Sequence, residues 1–126
     1  FRLVEGLFVY RGRGDFFFLS GDDCKTVAYN VSGGNGLISV SANVAPKLYA
    51  EVQELTFAGK YVEARELQDR LITLHNLMFK ETSPAGVKYA VSLLGLCEPE
   101  CRLPVIELTQ GTKDEIRAAM VELELI

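Results

Sequence analysis

Apolar residues in this chain form two short unbroken runs and then several stretches spaced by three and four. Phe16-Phe17-Phe18-Leu19 contains no polar residue, and Leu37-Ile38-Ser39-Val40 contains one. An unbroken run predicts a strand covered on both faces by crossover helices, whereas an antiparallel strand with one wet face alternates. The spacer from Gly21 to Gly36 is too long for a hairpin and long enough for a helical crossover. The pattern therefore predicts one β-α-β unit of a parallel sheet. Asp22 or Asp23 suits the cap of the crossover helix, since a short carboxylate accepts from first-turn N–H groups. Val27, Ala28 and Val31 form its apolar side, and Gly33-Gly34 ends it.

Helical spacing dominates elsewhere. Leu3, Val4, Leu7, Phe8 and Tyr10 suggest a helix over Phe1–Arg11, broken by Gly12-Arg13-Gly14. Pro46 suits a first helical turn, where its missing N–H has no partner to lose. Leu48, Val52 and Leu55 follow it, and Gly59 marks the exit. Tyr61, Ala64, Leu67, Leu71, Leu74 and Met78 make the clearest apolar stripe, with Glu63, Glu66, Asp69 and Arg70 facing away. Ser83-Pro84 opens a helix with Val87, Val91 and Leu94 inward and Gly95 as its stop. Thr112-Lys113-Asp114-Glu115 reads as a capping box before Ile116, Ala119, Met120 and Leu123. Two parallel strands followed by a helical tail cannot close a barrel and leave unpaired edges. Further polypeptide is expected to cover the Phe16–Leu19 strand.

Composition narrows the partners. Of 126 residues, 48% are hydrophobic and 24% charged, and the net charge of −4 offers no basic footprint for nucleic acid. No run approaches the roughly 18 apolar residues of a membrane span, and Arg2-Leu3-Val4-Glu5 lacks a secretory leader's pattern. Cys24, Cys97 and Cys101 are odd in number and follow no disulfide framework, which implies reduced thiols in a cytoplasmic protein. Together with His75 they have too loose a spacing for a zinc site, so no metal ligands are expected.

Chemistry in parallel β/α folds gathers at the C-terminal strand ends, here Ser20-Gly21-Asp22 and Val40-Ser41-Ala42-Asn43. Asp22-Asp23 are consecutive and point apart, which suits a cap better than a facing carboxylate pair. Gly33-Gly34-Asn35-Gly36 matches neither phosphate-binding glycine motif and precedes a strand. Lys88 lies within an amphipathic helix, where a snorkelling or salt-bridged lysine is expected rather than a desolvated nucleophile. His75 flanks the long helix's apolar stripe, with no serine or cysteine motif to suggest a nucleophile–base pair.

Leu19-Ser20-Gly21-Asp22-Asp23 and the segment Gly33 to Pro46, GGNGLISVSANVAP, resemble strands seven and eight of the dihydrodipicolinate synthase family. The similarity continues through Ala64–Leu71, Leu74-His75-Asn76, Pro84–Ala90 and Cys101-Arg102-Leu103-Pro104. These family members are pyruvate-dependent (β/α)8-barrel lyases and aldolases. Such a barrel needs about 250 residues, so the resemblance covers a C-terminal portion. It implies an α/β fold with the last two β/α units in residues 1–58 and a helical C-terminal extension in residues 59–126. The implied chemistry joins pyruvate, held as a lysine imine, to L-aspartate-4-semialdehyde, giving 4-hydroxy-tetrahydrodipicolinate on the route to diaminopimelate and lysine. The Schiff-base lysine and the proton-relay tyrosine would lie upstream of Phe1, leaving no catalytic residue in this chain and an inactive fragment when alone. Ile38 matches the family position whose backbone lines the pyruvate pocket, and Gly21 the one that lets backbone approach it. The resemblance implies no cofactor and, commonly, a homotetramer built as a dimer of dimers, with Leu3, Ala28 and Val31 as candidate contacts. Two alternatives stand beside it: a related pyruvate aldolase such as one cleaving N-acetylneuraminate, and a noncatalytic protein that binds a partner through the helix Tyr61–Lys80.

Overall fold

The computed structural model describes residues 14–126. The helix expected over Phe1–Arg11, with Leu3, lies outside the described residues. Strand β1 (Leu19–Ser20) leads through a 3-10 turn, Asp23–Lys25, into helix α1 (Thr26–Val31) and strand β2 (Gly36–Leu37). A second 3-10 turn, Ser41–Asn43, precedes helices α2 (Pro46–Phe57), α3 (Tyr61–Met78), α4 (Ala85–Leu93) and α5 (Gln110–Glu122). β1 and β2 pair in parallel, Leu19 opposite Gly36 and Ser20 opposite Leu37. The right-sized crossover thus gives the expected β-α-β unit.

The chain divides into two compact units. One comprises residues up to Ser39 with Lys47–Asp69, the other Val40–Pro46 with Arg70–Ile126. In the first unit the ladder is shorter than the apolar runs suggested. Phe16, Phe17 and Phe18 precede it, and Phe16 and Phe17 are 51% and 84% exposed. A ladder extends only as far as both strands run, and β2 starts at Gly36, where φ of +141° turns the chain. Asn35 closes the near end: its amide donates to the Phe18 carbonyl at 2.7 Å, and its side-chain oxygen accepts from the Phe18 amide at 2.8 Å. Val40 likewise falls outside β2 and enters the 3-10 turn.

Helix α1 presents a different face from the one its aliphatic residues suggested. Thr26, Val27, Tyr29 and Asn30 are buried, while Ala28 and Val31 are exposed. Side chains of α2 and α3 reach the buried face with polar groups, so hydrogen bonding and not aliphatic content selects it. The Val27 amide donates to Gln68 Oε1 at 2.9 Å. Asn30 Nδ2 donates to Gln53 Oε1 at 2.7 Å, and Gln53 Nε2 donates to Thr26 Oγ1 at 2.9 Å. In α2 the deepest residues are Tyr49, Val52 and Thr56, with Leu48 and Leu55 half-buried beside them. Gly59, at φ +76°, makes the expected exit.

In the second unit Leu71, Leu74 and Met78 of α3 are buried, as are Ile116, Ala119, Met120 and Leu123 of α5 or just after it. Ala64 and Leu67, earlier on α3, complete the stripe, whereas Tyr61 is half exposed at the helix start. On α4 the small residues Ala85, Gly86 and Ala90 are the buried ones, and Val87, Val91 and Leu94 sit half-buried. Close approach explains this: a Cβ on Gly86 would lie 2.8 Å from the Met78 carbonyl oxygen. Gly95, at φ +74°, stops the helix as anticipated.

The α5 cap lies one turn earlier than the expected box. Thr109 is the N-cap and accepts from the Thr112 amide. The acid is supplied from a distant part of the chain: Glu81 accepts from the Thr109 amide at 3.2 Å and from its hydroxyl at 2.7 Å. A capping box normally draws that acid from the helix itself; Glu115 instead pairs with Lys80. The Thr112 and Thr109 hydroxyls hold the Glu81 carboxyl below its ordinary 4.5. A depressed carboxyl contributes stability that is complete above its unfolded value and is lost as pH falls through the folded one. Thr109→Ala is expected to cost about 1 kcal/mol in urea unfolding. Glu81→Gln should reduce stability at pH 7 and flatten the decline between pH 6 and pH 3; an unaltered pH profile would exclude Glu81 as part of the cap.

Candidate functional site at the strand ends

β1 closes on Ser20 and β2 on Leu37, which brings Gly21 and Ile38 to neighbouring positions on the C-terminal edge of the ladder. The Ile38 amide donates to the Ser20 carbonyl at 2.8 Å. The Ile38 side chain remains 69% exposed, not an ordinary core isoleucine within these residues. A Cβ on Gly21 would meet nothing within 4 Å, and its φ lies outside the left-handed region. Neither strain nor crowding among the described residues requires glycine there. Beneath it, the fully buried Ser20 hydroxyl binds the Asp22 backbone, donating to its carbonyl at 3.2 Å and accepting from its amide at 3.1 Å.

Asp22 caps the 3-10 turn and not α1 itself, whose N-cap Lys25 makes no side-chain cap bond; it accepts from the Cys24 amide at 3.1 Å, and its other oxygen pairs with Lys25. That pairing raises the Lys25 ammonium's pKa, chiefly through the hydrogen bond. Asp23 is buried. Burial, then the charges of Asp22 and Asp23, pushes the Cys24 thiol up, so the thiolate needed for nucleophilic attack is disfavoured. Asp22 is thus spent on a cap and an ion pair, and the Cys24 thiol beside it is held protonated.

The remaining candidates are also engaged. The glycine turn packs on Tyr29: the Gly34 amide donates to the Tyr29 carbonyl at 3.0 Å, and a Cβ at Gly34 would fall 2.3 Å from the Tyr29 ring. With the Asn35 amide on Phe18 as well, the turn has no phosphate cradle to offer. Lys88 Nζ donates to the Glu100 carbonyl, and the Cys97 thiol to the Lys88 carbonyl at 3.7 Å. His75 Nδ1 lies 3.4 Å from Ser41 Oγ, a pairing the sequence did not suggest. Ser41 is completely buried, so no substrate reaches that hydroxyl, and the His75 ring packs on Phe79 at 5.2 Å. Gln53, Gln68, Asn35 and Tyr29 were missed as determinants of the strand ends. The sequence carries no signal for them: Gln53 and Gln68 stand among charged residues, Asn35 inside a glycine turn and Tyr29 on a short helix.

The family model for the dihydrodipicolinate synthetase family matches residues 7–123. The chain belongs to that family. A 4-hydroxy-tetrahydrodipicolinate synthase from Bartonella tribocorum is 52% identical over 112 residues, covering 89% of this chain and 38% of the relative. The dihydrodipicolinate synthase structure from Thermotoga maritima superposes with a TM-score of 0.93 at 34% identity, covering 98% of this chain and 42% of that one. A structure described as the first monomeric dihydrodipicolinate synthase variant gives the same TM-score and coverage. The chain spans about two fifths of the length of these relatives, and its α/β fold matches that part of theirs.

Gln53 is the test of what positions the edge. Gln53→Leu strands the Asn30 amide and the fully buried Thr26 hydroxyl, and is expected to cost about 2 kcal/mol. Urea unfolding reads this directly; a midpoint within error of the parent would show that the network does not hold α1.

Proposed function

We propose that this chain is the C-terminal portion of a Schiff-base-forming, pyruvate-dependent lyase of the 4-hydroxy-tetrahydrodipicolinate synthase type. The observation that carries the reading is the parallel strand edge, where Gly21 and Ile38 stand side by side and exposed, in a chain of this family. Residues 1–58 are assigned to the last two β/α units of a (β/α)8 barrel and residues 59–126 to a helical extension. The exposed Phe16, Phe17, Leu19 and Ile38 support further polypeptide lying against this sheet. Burying each such side chain is worth roughly 1.5–3 kcal/mol.

In the proposed reaction a lysine amine from the rest of the barrel condenses with the pyruvate ketone and releases water. The imine loses a methyl proton to become an enamine, whose carbon attacks the aldehyde of L-aspartate-4-semialdehyde. Ile38 supplies an apolar wall and a backbone carbonyl beside the imine, and Gly21 keeps the facing turn free of a side chain. Cys24, its thiolate disfavoured, and Asp22, committed to its cap, take no proton in this scheme. The names of the relatives favour the aspartate-semialdehyde reaction over cleavage of N-acetylneuraminate. The noncatalytic helical reading loses support because Leu67, Leu71, Leu74 and Met78 are buried, leaving no free stripe on α3. A homotetramer is the proposed assembly, with exposed Ala28 and Val31 as contacts. Free Cys24, Cys97 and Cys101 suit a cytoplasmic location. No described helix is long and apolar enough to cross a membrane.

Borohydride reduction in the presence of pyruvate tests the division of labour. Residues 1–126 alone are expected to gain no reduced pyruvate adduct, while the longer polypeptide gains one on a lysine outside them. An adduct on Lys88 or any other lysine of this chain would overturn the scheme. In the complete enzyme, Ile38→Ala should lower kcat/KM for pyruvate about tenfold without moving the unfolding midpoint; unchanged kinetics would remove Ile38 from the pocket.

A further inference from the structure

The second unit contains a cavity that the strand-end chemistry does not use. It is a half-open cleft of about 370 Å³ between α4, the start of α5 and the 99–108 segment, and is lined by Tyr89, Cys101, Val105, Glu107, Leu108 and Lys113 among others. Small-molecule sites begin at about 300 Å³ and combine apolar walls with a few convergent polar groups. Here the convergent groups are one ammonium and one carboxylate of unequal freedom. The Lys113 side chain is only 20% exposed and its Nζ lies 5.8 Å from the centroid of the Tyr89 ring. Its ion-pair partner, Glu107, is 81% exposed. The cation is held by packing, whereas the carboxylate reaches it from water and gains little from an exposed pair.

We propose that this cavity binds a free α-amino acid with an apolar side chain. The ligand carboxylate meets Lys113, its ammonium meets Glu107, and its side chain lies against Tyr89, Val105 and Leu108. A plain carboxylate would crowd Glu107, with Glu100 also on the wall, and a plain amine would crowd Lys113. Lys113 and Glu107 pair with each other, and a ligand carrying both charges replaces that pair with two matched ones. The apolar walls then take a side chain of about leucine's size. The site lies wholly within the second unit and does not rest on the lyase reading.

Cys101 lines the cavity and Cys97 does not, so the two thiols provide a reporter and an internal control. With the intact protein, L-leucine should slow iodoacetamide alkylation of Cys101 saturably, half-maximal on the order of 1 mM for so small a ligand, and leave Cys97 unaffected. Glycine, 4-methylpentanoate and 3-methylbutylamine should each protect at least tenfold more weakly. Glu107→Gln and Lys113→Met should each raise the half-protecting concentration at least tenfold. Glu107 is largely in water, so its variant remains informative even if Lys113→Met fails to fold. Absence of saturable protection, equal protection by 4-methylpentanoate, or protection indifferent to Glu107→Gln would overturn the proposal. None of these outcomes bears on pyruvate imine formation, which is read separately by borohydride.

Discussion

A six-residue helix cannot hold its own shape in water, because isolated helices need about 12–15 residues to approach stability. α1 is such a helix, and it is also the crossover that sets β1 and β2 parallel. Two glutamines supply what its length does not. Gln68 takes up the Val27 amide, one of the first-turn donors that a helix leaves unpaired. Gln53 bridges Asn30 and Thr26 across the buried side. If α1 loosened, β2 would lose its path back beside β1, and Ile38 would lose its bond to Ser20. The geometry of the strand edge therefore depends on polar contacts made by α2 and α3.

Each unit buries an apolar set of its own and leaves other large apolar side chains exposed. In the second, α3, α4 and α5 bury a continuous set of side chains from Leu71 to Leu123, and Glu81 closes the N-terminus of α5 from outside the helix. In the first, the aromatic run ahead of β1 stays in the open despite a well-formed ladder behind it. A parallel pair has hydrogen-bonding edges on both sides and faces that helices ordinarily cover. The second unit also leaves large apolar side chains in the open, Leu103 at 85% and Leu96 at 72%.

Parallel pairing was legible because two apolar runs lay a crossover apart, and most helices because stripes such as Leu67, Leu71, Leu74 and Met78 repeat at helical spacing. Glycine exits at Gly59 and Gly95 were legible from the conformational freedom they supply. The faces of the short helices were not. Ala28 and Val31 are apolar yet exposed, because the buried side of α1 is chosen by partners distant in sequence. The same reason hid the α5 cap: Thr112-to-Glu115 is a sound local motif, but Glu81, 28 residues before Thr109, competes for the role and prevails. Gly21 and Ile38 became neighbours of interest through family likeness; spacing alone gives no reason to pair them. Gln53 on an amphipathic helix reads as a solvated residue until its partners are in view.

The charge pattern at the strand edge bears on the chemistry proposed there. An amine that forms an imine must spend time unprotonated, and nearby carboxylates oppose this by stabilising the ammonium. Two consecutive aspartates at the end of β1 are therefore an unfavourable neighbourhood for a reactive lysine unless their charge is offset. Asp22 is offset by Lys25 and by the Cys24 amide it caps, which spend its acceptor strength locally. Asp23 turns into the buried side of the 3-10 turn, away from solvent. What faces outward at the edge is then Ile38 and a glycine, an apolar wall and a gap. In the proposed site such a surface would withdraw water from an approaching amine without donating or accepting a proton, and desolvation favours an amine's neutral form.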